Sequence, residues 1–257
     1  MIVTTEAVVL RTMKYRDTSR IATLYTSRYG KISVIAKGAR DKKNTFGSSL
    51  QPMSHVQAIL YKKENRDLHL LSQCTSITPL RHLADDMHRM AAAMSAIELV
   101  NAVTHGEDEN PALFTLLTRT LVAIDGATKG APAALYFFEA RLLEVLGFAV
   151  NFQQCAKCLK LLDEAGTGTN GVGLQLQRGG VVCFACIPDS IIERTVSLVA
   201  LRVLQRLQDL NEPVAATRMV FSRQVAEEIG LILRRFLQYH IEGLRDLKSE
   251  AVFSAVL

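Results

Sequence analysis

The chain has 257 residues, of which 49% are hydrophobic and 21% are charged, and its formal net charge is +5. This composition is typical of a globular protein and excludes a disordered or fibrous chain. No apolar run reaches the roughly 20 residues that a membrane-spanning helix needs, and the N-terminus lacks the pattern of a signal peptide. We therefore expect a cytoplasmic protein with no membrane partner, whose cysteines stay reduced.

The positive charge is concentrated in the first third of the chain. Residues 1–80 contain 13 of the 30 Lys and Arg residues but only 5 of the 25 Asp and Glu residues. Their balance is therefore +8, whereas the remaining residues carry a balance of −3. This asymmetry indicates that the first third contacts a polyanion.

The same third contains five short runs rich in Val, Ile, Thr and Tyr, several of which alternate apolar and polar residues as half-buried strands do. The runs are residues 6–13, 19–27, 30–38, 53–63 and 67–77. A long polar segment separates the third run from the fourth. Five strands with one long loop predict a small barrel of the OB type, and an SH3-like barrel is the alternative.

From residue 81 onward, apolar residues recur three and four positions apart, which predicts helices. The segments 111–126 and 131–148 each have a proline near the start and a glycine near the end, as helices often do. The helical pattern resumes in residues 190–210 and 222–249. Between the two groups of helices lies a segment with glycines and most of the cysteines.

Four of the five cysteines form two Cys-x2-Cys pairs. Cys155 and Cys158 are separated by 24 intervening residues from Cys183 and Cys186. Each such turn points both sulfurs at one place, and two turns supply the four thiolates that Zn²⁺ takes in structural sites. A hairpin around residues 172–177 is expected to bring the turns together. Four thiolates leave no open position for water, so we expect one structural zinc ion that performs no chemistry.

Other interpretations of the cysteines are weaker. Disulfides are disfavoured in a reducing cytosol, a thioredoxin-like pair needs a βαβ context that the sequence lacks, and iron–sulfur clusters usually have other spacings. Chance pairing is the remaining alternative. The fifth cysteine, Cys74, lies in an apolar strand and is expected to be a buried core thiol.

The predicted fold class is therefore α+β and multidomain. An N-terminal OB-fold barrel in residues 1–80 is followed by an all-helical domain in residues 81–257. The helical domain carries an inserted segment, residues 151–189, with the four-cysteine zinc site.

The densest basic cluster begins at the end of the third predicted strand. It contains Lys37, Arg40, Lys42 and Lys43, and further cations such as Lys14 and Arg16 precede it. Tyrosines and Phe46 are interleaved with these cations. Cations that neutralise phosphates, beside rings that stack on bases, are typical of proteins that bind single-stranded nucleic acid. The alternative is a solvated surface with the tyrosines in the core, and for Tyr25 and Tyr61 we expect the core.

The sequence lacks the common catalytic motifs. It has no G-x4-G-K-[ST] phosphate loop, no G-x-S-x-G elbow and no H-E-x-x-H metal motif. Asp85, Asp86 and His88 could form a divalent-metal site, but charged residues in a solvated first helical turn are the stronger interpretation. We therefore expect a protein that is not an enzyme.

Five stretches carry a resemblance to a known family. They are AVVLRTMKYRDTSRIATLYTSRYGKISVIAKGAR from residue 7, LQPMS from residue 50, FFEARLLEVLGF running toward CAKC, GGVVCFAC, and LRRFLQYHIEGLRDLKS from residue 233. Together they resemble the RecO family of bacterial recombination mediators, and the similarity covers nearly the whole chain.

The resemblance implies an OB fold, a helical domain with a zinc-binding segment, and a non-enzymatic role in DNA repair and recombination. Proteins of this family bind single- and double-stranded DNA, anneal complementary strands and, with RecR, help load RecA onto DNA coated by single-strand-binding protein. Such a protein would be associated with the nucleoid when it is on DNA. By position, the resemblance implies that Lys37 and Arg40 contact DNA and that the four paired cysteines bind zinc.

Two further points stay open at the level of the sequence. Arg234, Arg235 and Lys248 of the late helical segment could form a basic face for DNA or for the acidic C-terminal tail of single-strand-binding protein, or they could be merely solvated. The alternative functions are a structural adaptor, whose helical domain binds repair proteins without DNA contact, and a zinc-dependent hydrolase or nuclease.

Overall fold

The structure is a computed structural model that describes residues 1–41, 46–63, 66–148, 150–162 and 171–249. Its N-terminal part is a closed five-stranded barrel with the strand order β1-β2-β3-β5-β4. The strands are β1 (Ile2–Tyr15), β2 (Ser19–Thr26), β3 (Gly30–Ala36), β4 (His55–Tyr61) and β5 (Leu68–Thr78). Strands β3 and β5 are parallel, and every other neighbouring pair is antiparallel. This is the Greek-key arrangement of an OB barrel, which confirms the predicted fold class.

Strand β1 belongs to two hydrophobic cores at once. Val3, Ala7 and Val9 point into the barrel, whereas Val8 and Leu10 pack with the helices. Alternation of side chains along a strand allows this division, and a bulge between Val9 and Arg11 changes the register partway along the strand. The barrel therefore rests on the helical part through the outer face of its longest strand.

The remaining chain contains six α-helices among the described residues. They are α1 (Met87–Val103), α2 (Pro111–Gly126), α3 (Ala131–Val145), α4 (Leu198–Asp209), α5 (Pro213–Ala216) and α6 (Arg223–His240). Helix α3 is apolar on nearly all sides and packs against each of the other five, as expected for a helix at the centre of a core. Among the described residues, no helix combines the length and the apolar character needed to cross a bilayer.

The helical interpretation of residues 190–210 and 222–249 is only partly right. Arg194–Val196 form a strand, β9, and the helix begins at Leu198, where the Ser197 hydroxyl accepts a hydrogen bond from the N–H of Ala200. Helix α6 ends at His240, nine residues before the last described residue. At both places pairing or packing elsewhere in the molecule overrides the local helical pattern.

The loop between α1 and α2 docks on the end of the barrel formed by the β2–β3 hairpin. The backbone N–H of Lys31 donates to the carbonyl of Gly106 (2.9 Å), and its ammonium group donates to the carbonyl of Asn101 (2.7 Å). Gly30 has φ +58°, and a Cβ there would lie 2.6 Å from the backbone nitrogen of Asp108. Only glycine permits so close an approach, so this contact fixes the barrel against the helices.

Glu107 adds an electrostatic link between the same loop and the barrel. Its carboxylate lies 2.6 Å from the ammonium group of Lys62 and 3.2 Å from Nε2 of the buried His69. The hydrogen bond from Lys62 holds the pKa of Glu107 below its ordinary value, against the opposing effect of burial. The acid is therefore ionised near neutral pH, and the link is charge-assisted.

Candidate metal centre and nucleic-acid surface

The four paired cysteines converge on one point. Their sulfur atoms all lie within 4.8 Å of one another, and Sγ of Cys158 lies 3.8 Å from Sγ of Cys183. Zinc–sulfur bonds of about 2.3 Å in a tetrahedron place the sulfurs about 3.8 Å apart. The spacing therefore fits a metal ion held by four thiolates.

A small sheet brings the two cysteine turns together. Its strands are β6 (Asn151–Cys155), β7 (Val172–Gln175), β8 (Gly180–Val182) and β9 (Arg194–Val196), in the order β6-β8-β7-β9. Strands β7 and β8 are antiparallel neighbours, as expected from the predicted hairpin, and β6 runs parallel to β8. Cys155 ends β6 and Cys183 follows β8, so the two turns leave adjacent strands side by side.

Glycines allow the strands of this sheet to pack closely. A Cβ on Gly180 would lie 2.6 Å from the carbonyl oxygen of Asn151, and one on Gly173 would lie 2.6 Å from a methyl carbon of Ile192. Larger side chains at either position would push β6 or the chain before β9 away. The glycines before the second cysteine pair therefore serve close packing next to the metal centre.

The surroundings of Cys155 favour its thiolate form. Burial raises the pKa of Cys155, but the backbone N–H groups of Cys158, Cys183 and Lys157 outweigh this effect and lower the pKa to about 6. Two of these N–H groups lie 3.5 and 3.3 Å from the sulfur. Burial, and after it the neighbouring thiols, raise the pKa of Cys186 to about 12. A bound cation would reverse that rise, because a coordinating thiol is deprotonated by its metal.

A surface ion pair links the two cysteine turns. Lys157, within the first turn, lies 3.3 Å from the carboxylate of Asp189, just after the second turn. Sequence reasoning did not single out Asp189, and only its position three residues beyond Cys186 could have suggested it. Among the described residues, the four cysteines are the only group of three or more His, Cys, Asp or Glu side chains whose ligand atoms lie close enough together to hold a metal ion.

A second cluster lies at the end of the barrel formed by the β1–β2 hairpin. Lys14 pairs across the strands with Arg20, and Arg20 pairs with Ala36 at the end of β3, directly before Lys37. We call the cations gathered here the basic barrel end: Lys14, Arg16, Arg20, Lys37 and Arg40. All except the half-buried Arg20 are exposed. Arg20 was not among the predicted DNA contacts, although its cross-strand position opposite Lys14 could have indicated it.

Hydrogen bonds hold the two loops of the basic barrel end together. Arg40 donates from Nη1 to the carbonyl of Arg16 (3.0 Å), and its backbone N–H donates to the carbonyl of Thr18 (2.9 Å). Arg16 adopts a left-handed conformation with φ 51°, and its guanidinium lies 5.3 Å from the centre of the Tyr15 ring. Predicted contacts Lys42 and Lys43 follow in the chain but lie outside the described residues.

The other cations of the first third lie elsewhere. Arg28 and Lys31 belong to the opposite end of the barrel, and Lys31 is engaged with the α1–α2 loop.

Tyr25 is fully buried, as predicted, and its hydroxyl donates to the carbonyl of Asn110. Tyr61 is 43% exposed, so the prediction that it is a core residue was wrong. It falls on the outward-facing side of β4, opposite Ala58 and Leu60, which face the barrel core.

Asp85 and Asp86, two of the three residues of the imagined divalent-metal site, are engaged in local contacts. Asp86 accepts a hydrogen bond from the N–H of Arg89 and so caps helix α1, while Asp85 pairs with the ring of His82 at 3.1 Å. This arrangement fits the solvated first turn that the sequence favoured.

The cations of the late helical segment do not share one helix. Arg235 is exposed on α6 and Arg234 is half-buried there, whereas Lys248 lies beyond the end of that helix. The three cations therefore do not form a face of a single helix, because α6 stops at His240.

The fold and the two sites define a class: an OB-barrel protein whose helical part carries a four-cysteine centre. Residues 1–80 match the family model described as recombination protein O N terminal, and residues 84–251 match recombination protein O C terminal. The chain belongs to the RecO family of DNA repair proteins.

Individual relatives are similar to this chain along nearly their full lengths. The chain is 32% identical over 257 residues to the DNA repair protein RecO of Salinibacter ruber, which covers 99% of this chain and 94% of that protein. It is 32% identical over 246 residues to the DNA repair protein RecO of Symbiobacterium thermophilum, with 95% and 94% covered. The protein of the same name from Chloroherpeton thalassium is 29% identical over 259 residues, with both chains covered completely.

Proposed function

We propose that this protein is a DNA repair and recombination mediator that binds single- and double-stranded DNA and anneals complementary strands without being an enzyme. The observation that carries the proposal is the basic barrel end, where five cations from three segments of an OB barrel meet. In this proposal residues 1–80 form the DNA-binding domain, and residues 81–257 form the domain that presents the metal centre and the partner surfaces.

The basic barrel end would lower the repulsion between two strands. Each Lys or Arg that meets a phosphate releases a condensed counterion, which gives affinity that falls with salt and depends little on sequence. Tyr15, beside Arg16, offers a ring on which an unpaired base can stack. Annealing then needs no bond to be made or broken, so a catalytic group is not required.

The four cysteines would hold one zinc ion that supports structure. Zinc bound by four thiolates has no open position at which water could be activated. Residues Cys155, Cys158, Cys183 and Cys186 would all be ligands, and the ion would fasten the small sheet rather than act on DNA. This proposal is supported by the sulfur spacing.

Besides single- and double-stranded DNA, the proposed partners are RecR and the acidic C-terminal tail of single-strand-binding protein. The proposal rests on membership of the RecO family and on the two separate sites of this chain. In this proposal the helical part binds proteins while the basic barrel end holds DNA, so that RecA can be loaded onto strands that single-strand-binding protein covers.

Annealing of two complementary oligonucleotides, with and without single-strand-binding protein, tests the function directly. The unaltered protein should accelerate annealing in both cases. The Lys14→Ala/Lys37→Ala variant should lose most of this acceleration, while Arg28→Ala, which removes a cation from the opposite end of the barrel, should retain it. Equal annealing by all three proteins would favour the adaptor over the DNA-binding mediator.

A further inference from the structure

One residue of the loop after β3 holds the β1–β2 turn at the basic barrel end. Arg40 donates from its backbone N–H to the carbonyl of Thr18 (2.9 Å) and from Nη1 to the carbonyl of Arg16 (3.0 Å). These carbonyls belong to the last and the first residue of the turn, which spans residues 16–18. Arg40 therefore supports the turn at both of its ends.

The loop that carries Arg40 is itself anchored on the barrel. Ala39 is 7% exposed and belongs to the barrel core. The N–H of Asp41 donates to the carbonyl of Gly38 (3.0 Å), which closes a tight turn around Arg40. Arg40 is therefore presented to the β1–β2 turn from a fixed position.

The turn that Arg40 supports contains a residue in an unfavourable conformation. Arg16 has φ 51°, a region that residues other than glycine seldom adopt. Its side chain is exposed, so packing in a core does not stabilise it. Backbone conformations of this kind persist where the surroundings hold them. The hydrogen bond from Arg40 to the carbonyl of Arg16 supplies such a hold.

The conformation of Arg16 places its guanidinium beside an aromatic ring. The guanidinium carbon lies 5.3 Å from the centre of the Tyr15 ring, which is within the range of a cation–π interaction. A cation that is already ordered in the free protein loses less conformational freedom when it binds a phosphate. The pair of Arg16 and Tyr15 is thus arranged in advance for a nucleotide.

We infer that Arg40 is a positioning residue, which acts on DNA by holding Arg16 in place, and that Arg16 makes the phosphate contact. The inference rests on the proposed DNA binding by the basic barrel end. It also changes the role that family resemblance gives to Arg40, because Nη1 of that residue is directed at a backbone carbonyl of the protein itself.

A double-mutant cycle tests the inference through the salt dependence of affinity for a single-stranded oligonucleotide. Arg40→Ala keeps the backbone N–H of residue 40 and removes only the side-chain hydrogen bond. Each phosphate contact on a single strand contributes about 0.7 to the slope of log affinity against log salt. Arg16→Ala and Arg40→Ala should each lower the slope by about 0.7, and the double variant should lower it no further, since one contact is lost in all three.

The matched control is the same cycle with Lys37 in place of Arg40. Lys37 is another exposed cation of the basic barrel end, and within the described part of the chain its side chain makes no hydrogen bond to the turn. Its loss should therefore add to that of Arg16. The Lys37→Ala/Arg16→Ala variant should lower the slope by about 1.4.

NMR of the DNA-free protein provides a second readout. Contacts between the ring protons of Tyr15 and the side-chain protons of Arg16 should be present in the unaltered protein and in Lys37→Ala, and should be lost in Arg40→Ala. Retention of these contacts in Arg40→Ala would overturn the positioning role.

The salt titrations can overturn the inference in two further ways. A slope lowered by about 1.4 in Arg16→Ala/Arg40→Ala would show that the two residues contact separate phosphates. An unchanged slope in Arg40→Ala would show that Arg16 does not depend on Arg40. Salt-independent binding by the unaltered protein would instead contradict the proposed function, and this inference with it.

Discussion

His240, at the end of α6, is a titratable group in an aromatic setting. Its ring stacks on Phe148 at 4.8 Å between centres and is parallel to Phe236. Burial lowers its pKa from the ordinary value. The unfolded chain therefore binds a proton more readily than the folded protein does.

This difference predicts a loss of stability in acid. A histidine with a depressed folded pKa contributes stability that is present above its unfolded pKa of about 6.5 and is lost as pH falls through the folded value. His240→Phe keeps the ring stacking but removes the titration, so its free energy of unfolding should fall less between pH 7.5 and pH 5.5. Urea unfolding at the two pH values measures this, and equal losses in both proteins would contradict the role of His240.

Single residues also show where sequence reasoning reaches its limit. The alternation of β4 could have placed Tyr61 on the outer face, but membership of a strand alone suggested the core. Arg40 could be recognised as a cation, but nothing in its sequence position reveals that it bridges to the carbonyl of Arg16. Cross-strand pairing and loop contacts become visible only once the barrel is closed.

At the scale of elements, the four paired cysteines predict a measurable metal content. Metal analysis should find one zinc ion per chain, and Cys183→Ser should reduce that content because one of four thiolates is lost. Cys74→Ala removes a thiol that lies in the barrel core and should retain full zinc content. Equal metal content in all three proteins would show that the four cysteines are not the ligands.

Removal of the metal should have a local effect. Hydrogen exchange after chelation should accelerate in β6 and β8, which carry the cysteine turns, and stay slow in β2 and β3 of the barrel. The physical reason is that the small sheet has short strands and little core of its own, so ligand binding stabilises it. Exchange that accelerated equally in the barrel would contradict a local role.

The cysteine spacing and the glycines were enough to predict the hairpin and the convergence of the two turns. The strand β9 was not predicted, because Arg194–Val196 pair with β7, about twenty residues earlier in the chain, and no local signal reveals that pairing. The five barrel strands were predictable from period-2 alternation and turn residues. The closure of the barrel and the parallel pairing of β3 with β5 have no local signal in the sequence, and they followed only from assigning the five strands to the OB type.

At the scale of the whole molecule, the barrel and the helices are joined at Gly30. Gly30→Ala would place a Cβ against the Asp108 backbone, whereas Gly47→Ala, at a similar φ of +53°, meets no atom of the described residues within 4 Å. Both carry the strain of a positive φ, so their difference isolates the interface. We expect Gly30→Ala to lower the free energy of unfolding by about 1–3 kcal/mol more than Gly47→Ala does. Urea denaturation measures the free energy of unfolding of both variants. Equal losses would contradict the prediction, because they would show that the loop at Asp108 accommodates the added Cβ at no extra cost.

The central claim is that the basic barrel end binds DNA phosphates. The direct measurement is the affinity for a single-stranded oligonucleotide at several salt concentrations, for the unaltered protein, Lys14→Ala/Lys37→Ala and Arg28→Ala. Loss of two phosphate contacts should reduce the slope of log affinity against log salt by about 1.4, since each contact on a single strand contributes about 0.7. Arg28→Ala should keep the slope of the unaltered protein. An unchanged slope in the double variant would contradict the account.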